Sequence, residues 1–229
     1  MKQTIVPTLA DRYRNFVLTG ESGAGKTEAA LNLGLALRAG TRRPVHIFDM
    51  DQTKPLFRAR DLEPELAAAG IAMHAAPQKL DEPTLPPGVI ESLQNADIYT
   101  ILDVGGGGIG ARMIGQLSNV LHDGGCRVFF VVNPYRPWSQ SAAALRRTFD
   151  EIARAGRFQQ VRLISNPNLG PSTTAEEVVE GHSRLLSLIS EDWPVDFLTV
   201  RRPLYEEVRR AVALPVLPLD RRIAYPGSE

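Results

Sequence analysis

A chain of 229 residues fits one α/β domain, and a chain of this size buries roughly 70% of its unfolded surface without disulfides or structural metal. Lys plus Arg and Asp plus Glu each number 26, which leaves no bulk positive charge for non-specific nucleic-acid binding. The single cysteine, Cys126, excludes an internal disulfide and a multi-cysteine metal site; no apolar run approaches the roughly 18 residues that span a bilayer, and Met1-Lys2-Gln3-Thr4 lacks the apolar core of a signal peptide, so cytoplasmic residence is expected.

Strand-like and helix-like runs alternate along the chain. Phe16-Val17-Leu18 is a short apolar run before a glycine-rich turn. Residues 25–39 read as a helix, with Ala30, Leu33, Gly34 and Leu37 on one face. Further strands are expected at Val45 to Phe48, Ile71 to Ala75, Ile98 to Leu102, Val128 to Val132, Val161 to Ile164 and Phe197 to Val200. Between them, Leu145, Phe149 and Ile152 form one helical stripe, and Val178, Leu185 and Ile189 another. Thr173 with Glu176 has capping-box spacing before the latter. Leu204, Val208, Ala211 and Val212 form a last stripe, the proline-rich stretch Pro77 to Pro87 reads as an exposed loop, and the segment from Pro215 onward reads as irregular. Near-continuous apolar strands separated by helices predict one doubly wound, mostly parallel sheet of about seven strands with helices on both faces.

The strongest motif is Gly20-Glu21-Ser22-Gly23-Ala24-Gly25-Lys26-Thr27, a full match to G-x-x-x-x-G-K-[ST] between a strand and a helix. Glycines let successive N–H groups point inward around phosphate oxygens, and the helix N-terminus adds a favourable dipole. Gly20 to Glu28 is therefore expected to bind a nucleotide, with Lys26 on the β- and γ-phosphates and the Thr27 hydroxyl on Mg²⁺. Residues 15–220 then form a P-loop NTPase domain, 1–14 an N-terminal extension and 221–229 a C-terminal tail.

Such a loop needs acidic partners. Asp49-Met50-Asp51 follows the second strand, and Asp103-Val104-Gly105-Gly106 follows the fourth as D-x-x-G. Carboxylates at strand C-termini lie where ligands bind in open α/β sheets, so Asp49 and Asp103 are candidate Mg²⁺ ligands and the Gly106 N–H a γ-phosphate sensor.

Together these pieces resemble the MinD/ParA-like branch of P-loop ATPases, which includes dethiobiotin- and cobyrinate-type enzymes, from about Phe16 to about Pro218. The resemblance implies that Asp51 activates or positions the attacking water. It also implies that Asn166, at the end of Leu163-Ile164-Ser165-Asn166, contacts adenine, and that Pro203, in Val200-Arg201-Arg202-Pro203, covers the base. Members of the branch often carry a lysine where this chain has Glu21, and use it across a nucleotide-bridged dimer. Glu21 brings the opposite charge, so it is expected to turn from the phosphates toward solvent or a base such as Arg112, Arg136 or Arg202. The segment Asn166-Pro167-Asn168-Leu169 offers amides and no acid for guanine, which favours ATP over GTP.

The expectation is an ATP-binding, Mg²⁺-dependent ATPase acting as a partner-regulated switch, homodimeric, with a protein partner at Tyr135, Arg136 and Trp138. A small-molecule kinase or ATP-dependent ligase is the alternative, as is a nucleotide-binding module with negligible turnover. His46, His74, His122 and His182 show no metal-ligand spacing, and Cys126 reads as a small core hydrophobe.

Overall fold

The computed structural model describes residues 5–51, 62–75, 85–121 and 125–223. Its strands are β1 (Asn15–Thr19), β2 (Val45–Asp49), β3 (Ile71–Ala75), β4 (Tyr99–Asp103), β5 (Cys126–Val132), β6 (Val161–Ser165), β7 (Val195–Arg201) and β8 (Val216–Leu219). Its helices are α1 (Ile5–Arg12), α2 (Lys26–Thr41), α3 (Glu63–Ala68), α4 (Val89–Gln94), α5 (Gly107–Gly115), α6 (Ser118–Leu121), α7 (Ala142–Gly156), α8 (Ala175–Leu188) and α9 (Tyr205–Ala211). The strands form one sheet in the order β3-β2-β4-β1-β5-β6-β7-β8, every neighbouring pair parallel.

Every residue of β1 and β4 is buried, as a sheet covered on both faces requires. Alternation along β1 divides the core. Phe16 and Leu18 join the cluster that holds Leu33 and Leu37 of α2, whereas Val17 packs with Leu93 of α4 and Ile114 of α5 on the other face. Because β1 lies inside the sheet between β4 and β5, the turn that follows it is flanked by the ends of two other strands.

Several local expectations change. The sheet has an eighth strand in the segment read as irregular: β8 pairs with β7, from Leu198↔Val216 to Arg201↔Leu219. Pro218 is tolerated because β8 is the last strand in the order, and an edge strand needs only one of its two rows of hydrogen bonds. Within residues 1–14, α1 buries Ile5, Val6, Leu9 and Ala10 in the core cluster shared with α2. The glycine run after Asp103 becomes α5. The capping box falls one residue later than read: Thr174 Oγ1 accepts from Glu177 N, and Glu177 Oε2 accepts from Thr174 N at 2.8 Å. Most of the proline-rich stretch lies outside the described residues. Cys126 opens β5, where burial pushes its thiol up to about 12 and keeps it protonated.

Candidate nucleotide-binding site

The loop from Gly20 to Gly25 joins the C-terminal end of β1 to α2. Gly20 and Gly25 adopt φ of 141° and 93°, conformations that side chains resist. A Cβ at Gly20 would also lie 2.7 Å from the Val131 carbonyl oxygen, and one at Gly25 2.2 Å from Asn166 Nδ2. Both the conformation and the space therefore demand glycine. No side chain caps the N-terminus of α2, so the positive end of its dipole is turned toward the loop without a side-chain acceptor. Lys26 is 3% exposed and folds back over its own loop, where Nζ donates to the Glu21 carbonyl at 3.0 Å.

The two acidic turns meet beside this loop. Asp49 and Asp103 are register partners at the ends of β2 and β4, and Asp103 is also aligned with Leu18 of β1. Asp51 N donates to Asp49 Oδ1 at 3.0 Å. The Asp51 carboxylate lies against Gly105, with Oδ1 3.2 Å from where a Cβ would be. A Cβ on Gly106 would lie 3.0 Å from Ser22 N, and Gly107 N donates to the Gly20 carbonyl at 3.3 Å. The D-x-D, the D-x-x-G and the phosphate loop thus form one contiguous surface. Among the described residues no three His, Cys, Asp or Glu side chains group as a ready-made metal cage. Mg²⁺ characteristically binds through one or two carboxylates and takes its remaining ligands from phosphate and water, and Thr27, Asp49 and Asp103 fit that donor set.

A cavity of about 440 Å³ opens over the loop. Ser22, Gly23, Gly25, Lys26 and Thr27 line its phosphate side. Asn166, Asn168 and Leu169 also line it, with Arg201 and, from the C-terminal segment, Leu219, Arg221 and Ile223. Asn166 is 4% exposed and its amide is committed at both ends. Nδ2 donates to the Ala24 carbonyl at 2.7 Å, and Oδ1 accepts from Thr199 Oγ1 at 2.8 Å. It therefore ties the phosphate loop to β6 and β7 as well as facing the cavity.

Other expected positions fall elsewhere. Pro203 is exposed in a short turn at Arg202–Leu204 and is not part of the cavity lining; Arg201 faces the cavity instead. Glu28 borders the cavity, but its carboxylate accepts from Arg222 N at 3.1 Å and Ile223 N at 2.9 Å. Burial raises its pKa, and those two N–H groups oppose the rise. Glu21 Oε1 accepts from Ser22 N at 3.2 Å and the carboxylate sits over Gly107. The three arginines weighed as its partner bond elsewhere: Arg112 to the Gly108 carbonyl, Arg136 to the Gly23 carbonyl and Arg202 to Asp220. Tyr135 and Trp138 are not displayed as a docking patch. Tyr135 Oη donates to the Glu177 carbonyl at 2.5 Å, and Trp138 packs edge-on against Phe130.

Sequence reasoning missed Arg201, Leu219, Arg221 and Ile223. Arg201 carried a signal, since it ends a strand at the ligand edge of the sheet. The other three had none while the segment from Pro215 onward read as irregular.

No family model and no curated protein matches the sequence. Solved structures match in fold. FlhF complexed with GTP and Mg²⁺ is 14% identical with a TM-score of 0.52, over 85% of this chain and 72% of that one. The signal recognition particle receptor FtsY from Elizabethkingia anophelis, in complex with GDP, is 18% identical with a TM-score of 0.53, over 82% of this chain and 57% of its own. Chloroplast FtsY from Physcomitrella patens is 15% identical with a TM-score of 0.56, over 82% and 58%. This chain thus spans under two thirds of either FtsY. At these identities the likeness is one of fold: the chain has the P-loop NTPase fold. Among the described residues no helix is long and apolar enough to cross a membrane.

Proposed function

We propose that this chain binds a nucleoside triphosphate with Mg²⁺ in the cavity above Gly20–Thr27 and hydrolyses it, as a partner-regulated switch of the MinD/ParA-like kind. The observation that carries the reading is the convergence of three elements at one sheet edge: the complete phosphate loop with Lys26 folded over it, the Asp49–Asp51 turn, and the Asp103–Gly106 turn. On binding, Lys26 Nζ exchanges the Glu21 carbonyl for phosphate oxygens, a charge-assisted contact of the stronger kind. Thr27, Asp49 and Asp103 hold Mg²⁺, which when bound offsets phosphate charge. Asp51 orients water and accepts its proton. An ATP-dependent homodimer and a protein partner belong to the same reading.

ATP is the nucleotide the lining favours. Guanine needs a carboxylate for its N1 and N2 hydrogens, and Glu28, the acid among the described lining residues, has both oxygens engaged by the Arg222 and Ile223 N–H groups. GTP is the second reading, because FlhF and FtsY of the same fold were crystallised with GTP or GDP. Calorimetric titration of the wild type and Lys26→Ala with each nucleotide tests both. The wild type should bind ATP more tightly than GTP. Lys26→Ala should lose about 3–5 kcal/mol, because phosphate charge is left uncompensated. Unchanged binding by the variant removes the phosphate-loop assignment, and tighter GTP binding by the wild type gives the second reading. Turnover that needs an added small-molecule acceptor gives the kinase or ligase reading.

A further inference from the structure

We infer that Arg136 is a catalytic arginine supplied in cis, which stabilises the charge that develops on the terminal phosphoryl group; this rests on the hydrolase reading above. Three observations lead there. Glu21 places a carboxylate on the phosphate loop, against Ser22 N and over Gly107, so the second position of the loop adds no positive charge to that of Lys26. Arg136 is the cavity-lining residue that reaches the phosphate loop from the β5 side: its Nε donates to the Gly23 carbonyl at 3.1 Å, and its guanidinium lies 3.2–3.6 Å from where a Gly23 Cβ would be. Finally, the backbone that carries it is heavily fixed although the side chain itself is exposed.

Arg136 N donates to the Asn133 carbonyl at 3.1 Å, and the Arg136 carbonyl accepts from Ser139 N at 3.0 Å and Ser139 Oγ at 2.9 Å. Asn133 is 1% exposed; its Nδ2 donates to the Asn168 carbonyl and its Oδ1 accepts from Tyr135 N. Tyr135 and Trp138, on either side, anchor the loop to α8 and to the core. Transition-state stabilisation asks for a cation already held near where charge develops: the root of Arg136 is fixed in register and its head is held at the Gly23 carbonyl, from which it passes to a phosphate oxygen. The planar guanidinium then offers two parallel N–H donors, which an ammonium cannot.

The test compares wild type, Arg136→Ala, Arg136→Gln and Arg136→Lys in single-turnover hydrolysis, in binding of a fluorescent nucleoside diphosphate, and in thermal melting. Arg136→Ala should lose about 10³-fold in turnover, the low end of what arginine fingers supply. Diphosphate affinity should stay within about threefold, which places the loss in the transition state rather than in binding. Arg136→Gln should behave likewise, Arg136→Lys should recover little, and guanidinium in solution should partly rescue Arg136→Ala. If the wild type hydrolyses nucleotide and Arg136→Ala matches it, Arg136 is not catalytic. A loss confined to diphosphate affinity or melting temperature makes Arg136 an anchor of the phosphate loop and overturns the inference. A wild type that binds nucleotide without hydrolysing it overturns the hydrolase reading, and the catalytic role with it.

Discussion

Asp51 sits where the two acidic turns touch, its N–H on Asp49 and its carboxylate on Gly105. An amide at this place keeps the shape but cannot accept a proton from water. Asp51→Asn should therefore bind nucleotide as the wild type does and hydrolyse it roughly 10²–10⁴-fold more slowly, as measured by phosphate release. If Asp49→Asn is inactive and Asp51→Asn is not, the two carboxylates exchange roles. At this scale the phosphate loop was legible because its demands are local: glycine where φ is positive, and a lysine and a threonine that open the helix behind it. The capping box was not. Thr173–Glu176 and Thr174–Glu177 satisfy the same spacing, and the choice is made through space. The Thr173 hydroxyl is engaged with the Asn168–Gly170 loop, accepting from Leu169 N at 3.0 Å and donating to the Gly170 carbonyl at 2.7 Å. Thr174 is left to cap. Arg136 and Asn166 were visible as residue types, but their contacts with Gly23 and Ala24 span more than 110 positions in sequence and leave no local pattern.

At the scale of elements, the C-terminal segment is stitched to the phosphate-loop helix. Asn32 exchanges two hydrogen bonds with the Asp220 backbone, at 3.0 and 2.8 Å, and one turn earlier on α2 Glu28 accepts from Arg222 N and Ile223 N. Ile223 is buried in the core beyond them. The Arg222–Glu65 pair adds little, because Glu65 is exposed. Glu28→Ala should cost about 1–3 kcal/mol, the usual penalty for removing a buried acceptor. For a chain of this size that lowers the melting temperature by roughly 2–12 °C, as read by calorimetry. Trypsin should cut after Arg221 and Arg222 faster in the variant, and Glu28→Gln, which keeps one carbonyl acceptor, should lose less. A Glu28→Ala chain that melts as the wild type does shows that the stitch contributes nothing. This segment was illegible because β8 is a four-residue strand containing proline, and only its pairing with β7 makes it a strand.

For the whole molecule, the α/β class was readable from the alternation of apolar runs, since a parallel sheet with two covered faces has few other ways to be written. Strand order was not, because periodicity says nothing about which strands neighbour. The same architecture sets the response to acid. His46 and His74 lie at the β2–β3 end of the sheet with ring nitrogens 3.2 Å apart, and His182 lies on the buried face of α8 toward the other end, its Nδ1 3.0 Å from Ser165 Oγ of β6. Desolvation by burial lowers the pKa of all three below 6.5, and for His74 the neighbouring His46 lowers it further. Below pH 6.5 the unfolded chain takes up protons that the folded chain resists, so stability is lost as pH falls from 6.5 toward the folded-state values. Glu28 acts in the opposite sense. Its folded pKa is raised, so the folded chain holds that proton more readily as pH approaches 4.5, and one carboxyl set against three imidazoles moderates the slope without reversing it. The two ends of the sheet are well separated, so their contributions should add. The melting temperature should therefore hold steady from about pH 8 to 7 and fall between about pH 6.5 and 5, where ordinary histidine titrates. His182→Asn, which keeps a hydrogen-bonding group toward Ser165, should remove part of that fall while leaving the His46–His74 part intact. A wild-type melting temperature that stays flat to pH 5 in calorimetry would show that these histidines accept protons in the folded state, and would refute their burial as neutral rings.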